Sequence, residues 1–347
     1  MTRAFDISRE PARGGFADPA YAGHSSITLL SALVEGRIPA CPVARLTGRR
    51  LVDCGPGFAT TVMPASEWFA GPKGTIHSGA LAFVADMPLL CAILSQLPPR
   101  TLCTTAELSM TFLGEPARTG GLITARGKLI HADDQSGLSE VFVADQEGRL
   151  VAHATSRCSI VGTHGDYPHE APAAIAPAPP EPPHETPDPY LRPVPRPAPG
   201  MADDHHLRLS GLDLLRARLA GQVPVPPIDL LTGIRLLAAE EGRAVFAMLA
   251  SDWLRNEFAM VYGGAVALLA KSAAAAAVQT IAPAGTAFRA LDVKVNYLRA
   301  VAADGEDLVA TGTVMHRGRR LSIAGAEVMH GRHRVALATG TTAMFPT

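Results

Sequence analysis

The sequence predicts an α+β protein of two tandem domains, each an antiparallel sheet wrapped around one central helix. Length is the first observation: 347 residues exceed one ordinary domain of roughly 100–150 residues, and each half can bury its own core. The second is an internal repeat. A shift of 185 residues aligns 36–131 with 221–316 without a gap. It pairs Leu46, Thr47 and Gly48 with Leu231, Thr232 and Gly233, Gly79 with Gly264, and Gly127 with Gly312. It also pairs Trp68 with Trp253, the only two tryptophans in the chain, and duplication is the simplest account of that match. The third is that each half carries one long apolar segment between early and late strand-like runs, the layout of a helix covered by a sheet.

The elements follow in order. Residues 1–24 form an N-terminal tail with charges but no apolar run, so it does not read as a signal peptide. The first domain spans 25–164, with a helix at 27–35 and strands at 44–52 and 57–63. Its central helix follows at 79–94, then strands at 104–113, 121–133, 139–145 and 150–161. A linker covers 165–204. Within it, 168–199 holds 13 of the 29 prolines and has almost no apolar periodicity, so an extended, polyproline-like chain is expected. The second domain, 205–347, repeats the plan. Its helices are expected at 211–220 and 264–280, and its strands at 232–238, 243–249, 287–298, 306–317, 320–329 and 334–344.

Composition excludes several classes. A net charge of −1 gives no electrostatic basis for nucleic-acid binding. No run approaches the roughly 20 apolar residues of a membrane span. Five cysteines, an odd number without metal spacing and all in the first half, fit free thiols in a reducing compartment, so a cytoplasmic location is expected. The histidines are too scattered for a metal site. There is no Gly-x-Ser-x-Gly elbow of a serine hydrolase.

Each central helix carries one ionisable side chain. Asp86 is the only charge between Lys73 and Arg100, and Lys271 the only one between Glu257 and Arg289; the two occupy the same repeat position. A carboxylate isolated in an apolar helix is costly unless compensated, which makes Asp86 a functional candidate, against the plainer reading of a solvated helix stripe. The helices open on GTIHSGA (74–80) and AMVYGGA (259–265). Small residues at a helix N-terminus leave N–H groups free to hold a developing oxyanion.

GTIHSGALAFVAD resembles the motif of hotdog-fold thioesterases of the 4-hydroxybenzoyl-CoA and phenylacetyl-CoA type. There a His-Gly-Gly opens the central helix and an acid follows about two turns later. The resemblance covers both halves, the helix region most strongly. It implies two hotdog domains paired as a pseudo-dimer, with an acyl-CoA or acyl-carrier thioester as the small-molecule substrate and no cofactor. It also implies an Asn six residues before the His position to place water or thioester, a backbone N–H after the His to polarise the carbonyl, and a Ser or Thr some 18 residues beyond the acid.

Neither half is complete. The first half has Asp86 and Thr105, but Gly71 at the Asn position and Ser78 for the first Gly. The second has Asn256 and Gly263, but Lys271 for the acid, Ala290 for the hydroxyl and Tyr262 for the His. Eight residues separate Ser78 from Asp86, about 12 Å along a helix, so Asp86 cannot serve its own helix start and must face the other. One composite combination, Asp86 and Thr105 with Asn256 and Gly263, is then complete. The other, Gly71 and Ser78 with Lys271 and Ala290, lacks the catalytic groups. Random decay would not favour that partition.

The expected function is hydrolysis of an acyl thioester at one composite site. Asp86 is nucleophile or general base, the Gly263 N–H the oxyanion donor, and Asn256 and Thr105 the assisting groups. His77, Tyr262 and Gly264 line the helix starts as substrate-binding candidates, His77 with a turn-shaping role as its plainer reading. Arg317 and Arg319 in the HRGRR run are candidates for the CoA phosphates, with a solvated hairpin tip as the plainer reading. Pro88 is expected to kink its helix. A non-catalytic acyl-CoA binding or sensing protein is the alternative.

Overall fold

The protein is described from a computed structural model, which covers residues 7, 10–71, 75–116, 120–163, 170–195 and 208–346. The first repeat contains α1 (Ser26–Val34), α2 (Pro42–Thr47), β1 (Arg50–Gly55) and β2 (Phe58–Pro64). A 3-10 turn (Ser78–Ala80) then leads into the central helix α3 (Leu81–Leu94), followed by β3 (Thr101–Phe112), β4 (Leu122–Ala132), β5 (Ser136–Ala144) and β6 (Leu150–Thr163). The second repeat contains α4 (Gly211–Leu219), α5 (Pro227–Thr232), β7 (Ile234–Glu240), β8 (Arg243–Leu249) and the central helix α6 (Gly263–Thr280). It ends with β9 (Thr286–Ala290), β10 (Asp292–Tyr297), β11 (Asp307–Arg317), β12 (Leu321–His330) and β13 (His333–Pro346).

Two differences from the sequence expectation have local causes. The strands expected from Ala44 and Thr232 are preceded by the short helices α2 and α5. Each has Pro at its first turn, where the missing N–H costs nothing, and ends on a glycine in the left-handed region, Gly48 at φ +73° and Gly233 at φ +74°. The single strand expected over 287–298 is broken at Leu291: β9 pairs only with β13, whereas β10 lies between β3 and β13. Helix α3 runs unbroken through Pro88.

All strands join one antiparallel sheet in the order β1-β2-β4-β5-β6-β3-β10-β13-β12-β11-β8-β7, with β9 on β13. The halves meet at β3 and β10, where Ser109 pairs with Lys294. Those two positions match at the 185-residue offset, so an approximate two-fold axis passes between them. Helices α3 and α6 pack against each other on the inner face, in one core that runs through both halves. Phe83 of α3 meets Tyr262 at the start of α6, while Leu268 of α6 meets Gly79 at the start of the first helix, so the helices are antiparallel.

The repeat-matched glycines Gly127 (β4) and Gly312 (β11) explain how closely the helices approach the sheet. A Cβ on Gly127 would lie 2.5 Å from Pro88 O, and one on Gly312 would lie 2.1 Å from Ala273 O. Pro88 and Ala273 are themselves matched at 185. Helix backbone cannot yield as a flexible side chain can, so Gly312→Ala is expected to cost roughly 3 kcal/mol, the upper end for overpacking. Denaturant unfolding checks this; an unchanged midpoint would contradict the packing account.

The two tryptophans anchor segments that lie outside the repeat. Trp68 Nε1 donates to Arg192 O at 2.7 Å, and Trp253 Nε1 donates to Glu10 O at 3.1 Å. Both indoles are buried, and a buried indole N–H needs an acceptor. The described part of the proline-rich segment, 170–195, is therefore docked rather than free. Ser66 donates to Tyr190 O, Arg45 pairs with Glu181 and Asp188, and Ile175 is buried against Ala32 and Ile38.

Candidate active site

Asp86 projects from the second turn of α3, its residue 6% exposed, onto the first turn of α6. Its carboxylate accepts the N–H of Gly264, and its Oδ2 lies where a Gly263 Cβ would come within 2.9 Å. First-turn N–H groups have no intrahelical acceptor and carry the positive end of the helix dipole, so a carboxylate is favoured there. The acid of the first repeat thus meets the helix start of the second. Its other oxygen, Oδ1, is buried without a hydrogen-bond partner. Burial raises the Asp86 pKa to about 6; the nearby Arg49 pulls it down, Glu257 pushes it up, and the Gly264 N–H lowers it.

Arg49 is the compensating charge. It is 1% exposed, stacks on the Tyr262 ring at 4.5 Å and binds Glu257 with its Nη2 at 2.9 and 3.1 Å. Tyr262 donates its hydroxyl to Phe83 O at 3.1 Å, and Tyr297 donates to Gly263 O at 3.0 Å. Both tyrosines therefore brace the α6 start, Tyr262 by tying it to α3 and Tyr297 by reaching it from β10. Arg49, Glu257 and Tyr297 were not singled out by motif reasoning. Their signal was available: Arg49 is matched by Ile234 and Tyr297 by Phe112, asymmetries of the same kind as Asp86 and Lys271.

The other expected residues are placed as follows. Asn256 uses its carboxamide oxygen locally, accepting from the N–H of Phe258 (2.9 Å) and Met260 (3.1 Å), and so shapes the loop that enters α6. Its amide nitrogen is left for other partners. Thr105 on β3 is hydrogen-bonded to Cys158 on the neighbouring β6, and Asp86 acts electrostatically on that same cysteine. Cys158 in turn pairs with Cys103, which pulls the Cys158 pKa down. Arg317 is an exposed residue bridged to Glu241 at 3.1 Å. The adjoining Gly242 N–H binds Thr280 Oγ1, so Arg317 and the neighbouring exposed Arg319 belong with the C-terminal end of α6, away from Gly263.

His77 lies at the other helix start. Its Nε2 is 3.2 Å from Lys271 Nζ, and its Nδ1 is buried without a partner. Burial, then the charges of Lys271 and Arg218, push its pKa well below the usual histidine value, so the ring is neutral. A cavity of about 130 Å³ opens beside this pair, and its lining does not include Asp86. Among the described residues no group of three or more His, Cys, Asp or Glu side chains is placed to hold a metal ion. No described helix is long and apolar enough to cross a membrane, and all five cysteines are free.

Comparison with known proteins agrees with this architecture. Residues 30–158 match the family model of the acyl-CoA thioesterase C-terminal domain, and residues 258–337 match that of the thioesterase superfamily. The chain belongs to the thioesterase superfamily, as two domains in tandem with the hotdog fold, and its class is thioester hydrolase. Among solved structures it is similar to a Lactobacillus plantarum protein described as an oleoyl thioesterase, at 10% identity and a TM-score of 0.51, covering 84% of this chain and 98% of that one. A Novosphingobium aromaticivorans protein described as a thioesterase matches at 15% identity and a TM-score of 0.51, over 84% of this chain and 97% of its own. A hotdog-fold protein of unknown function from Alicyclobacillus acidocaldarius matches at 14% identity and a TM-score of 0.51, over 88% of this chain and 98% of its own. No curated protein sequence matches the chain.

Proposed function

We propose that the chain hydrolyses an acyl-CoA or acyl-carrier thioester at one site shared by the two repeats, where Asp86 meets the first turn of α6. The observation that carries this reading is the Asp86 carboxylate itself. It is buried, has one oxygen without a partner, and is held at a helix start that belongs to the other repeat. A burial-raised pKa of about 6 makes it a stronger base than a solvated carboxylate while leaving it ionised at neutral pH.

In this mechanism Asp86 takes a proton from water as the water oxygen attacks the thioester carbonyl, or attacks that carbon directly to give an anhydride that water opens. The Gly263 N–H, at the positive end of α6, accepts the charge that develops on the carbonyl oxygen. Collapse of the tetrahedral species breaks the C–S bond and releases the thiolate, which is protonated by solvent. Tyr297 and Tyr262 hold the α6 start in place, and Asn256 fixes the loop leading into it. The exposed Phe258 and Met260 on that loop offer apolar contact to the incoming thioester. Because Asp86 is 6% exposed, turnover requires the 256–260 loop, with Glu257 bridged to Arg49, to move aside and admit substrate.

Gly263 supplies a test that does not remove a functional group. In Gly263→Ala the new Cβ would lie 2.9 Å from Asp86 Oδ2 and displace the carboxylate from the helix start. Ala is a good helix former, so the fold should survive. The expected result is a loss of kcat of about 10²-fold, the order seen for misplacement of a reacting group by about 1 Å. Thiol release with the native unfolding midpoint retained is the measurement; full activity would remove Gly263 from the site.

A further inference from the structure

The segment that follows β10 frames the α6 start. Tyr297 donates to Gly263 O at 3.0 Å, the Val261 N–H donates to Val301 O at 2.9 Å, and Ala302 bridges to Met260. Between those anchors Arg299 is exposed, with its N–H on Val335 O. Two residues past Ala302, Asp304 Oδ1 lies 3.1 Å from His330 Nε2, which holds the β12–β13 turn (330–334) against the same segment.

The two repeats differ in charge at this rim. The turn at 330–334 reads His-Gly-Arg-His-Arg, with two arginines and no carboxylate. Its counterpart between β5 and β6, at 145–149, reads Asp-Gln-Glu-Gly-Arg, with two carboxylates to one arginine. That turn lies at the other helix start, since Arg149 donates to Glu115 O and Glu115 lines the cavity with His77. Arg299 differs in the same sense: Gly114 stands at its repeat position and makes the equivalent hydrogen bond, to Val151 O. The helix start that receives Asp86 therefore has the cationic rim, and the one that faces Lys271 has the acidic rim.

Most charges on the cationic rim are already paired. His330 is held by Asp304, Arg334 by Glu327 and Arg255 by Asp252. Among the described residues Arg299 and Arg332 take part in no ion pair, and both are exposed, as is the one unpaired carboxylate of the segment, Glu306. A guanidinium without a carboxylate offers a planar fork of donors that matches phosphate oxygens. A patch this small, set among carboxylates, suits a compact polyanion. The broad acidic face of a carrier protein would meet Glu306 and the flanking carboxylates as well.

We propose that Arg299 and Arg332 bind the phosphate groups of a nucleotide thiol carrier, so that the thioester hydrolysed at the shared site is an acyl-CoA and not an acyl-carrier-protein thioester. This assignment rests on the Asp86 site as the place of hydrolysis. It moves the phosphate contact from the β11–β12 tip, with Arg317 and Arg319, to the turn at the opposite end of β12. The acyl carbon then stands at the α6 start, and the pantetheine arm passes Met260 and Ala302 toward the turn.

Isothermal titration of the full-length protein with CoA and with pantetheine compares the same thiol with and without its phosphates. CoA is expected to bind roughly tenfold or more tightly than pantetheine, and to weaken with added salt as attraction between exposed charges does. Arg299→Gln combined with Arg332→Gln is expected to cost CoA roughly tenfold or more and to leave pantetheine unchanged. Arg332→Glu, which gives the turn the sign of its counterpart, should weaken CoA further than Arg332→Gln does. Arg317→Gln combined with Arg319→Gln removes as many charges at the far end of β12 and should leave CoA binding unchanged. Both rim arginines are exposed, so their variants are expected to keep the native unfolding midpoint. Binding is read without turnover, so it fails separately from hydrolysis by Asp86. Equal affinity for CoA and pantetheine, CoA binding unchanged by the Arg299 and Arg332 changes, or an equal loss from the Arg317 and Arg319 changes would each overturn the proposal. So would faster hydrolysis of an acyl-carrier-protein thioester than of the matching acyl-CoA, if the rim variants slowed it.

Discussion

Asp86→Asn is expected to abolish thioester hydrolysis and, at the same pH, to stabilise the fold. The activity loss should be about 10²–10⁴-fold, the usual contribution of a positioned general base. The stability gain follows from the raised pKa. In the native state Asp86 holds its proton up to about pH 6, whereas the unfolded chain releases it near the ordinary carboxylate value of 3.8. Stability attached to this group is therefore complete below pH 3.8 and is lost as pH rises through 6. Two pH units correspond to roughly 3 kcal/mol, an upper bound that the neutral amide recovers at pH 8. Thermal unfolding of the two proteins should differ at pH 8 and converge at pH 4. A variant that is inactive and less stable at pH 8 would mean that Asp86 serves the fold rather than the chemistry. In the unmodified protein kcat/KM should fall about tenfold per pH unit below 6, as the base becomes protonated.

The second large effect is expected at Arg49. Its guanidinium is fully buried and serves Glu257 and the Tyr262 ring together, while its charge acts on Asp86. Arg49→Met keeps most of the volume and removes the cation, leaving two carboxylates without it. Breaking a buried pair in this way costs about 3–5 kcal/mol, and the lower figure applies because the Glu257 side chain is 28% exposed and can reach water. The same change removes the main influence that lowers the Asp86 pKa. The acid limb of the pH–activity profile should therefore move above 6. Urea unfolding measures the first effect, and a profile of kcat/KM against pH measures the second. A limb that stays near 6 in the folded variant would show that Arg49 does not act on Asp86.

Much of the fold was legible because duplication writes each structural constraint twice. Gly127 and Gly312, Trp68 and Trp253, and the paired central helices all stand at one offset, and the structure places them in equivalent settings. The short helices α2 and α5 were harder to read. Six residues give no helical period, and their only signals are a proline at the start and a glycine at the end. The break at Leu291 was not legible, since β9 and β10 read as one strand-like run and part only because they occupy different places in the sheet.

At the site, the motif indicates that Asp86 faces Gly263 and Gly264, and the two do meet. It does not indicate that Asn256 and Thr105 spend hydrogen bonds on their own loop and strand neighbours. Arg49 lies outside the motif altogether, because its nearness to Asp86 arises from tertiary packing.

A double-mutant cycle between Asp86→Asn and Gly263→Ala tests the shared site most directly, because the two positions come from different repeats. If one site uses both, each single change alone should remove nearly all thiol release, and the double variant should be no slower than Asp86→Asn. If each repeat instead served a separate working site, each single variant would keep about half the activity and only the double variant would lose it; that result would contradict the account.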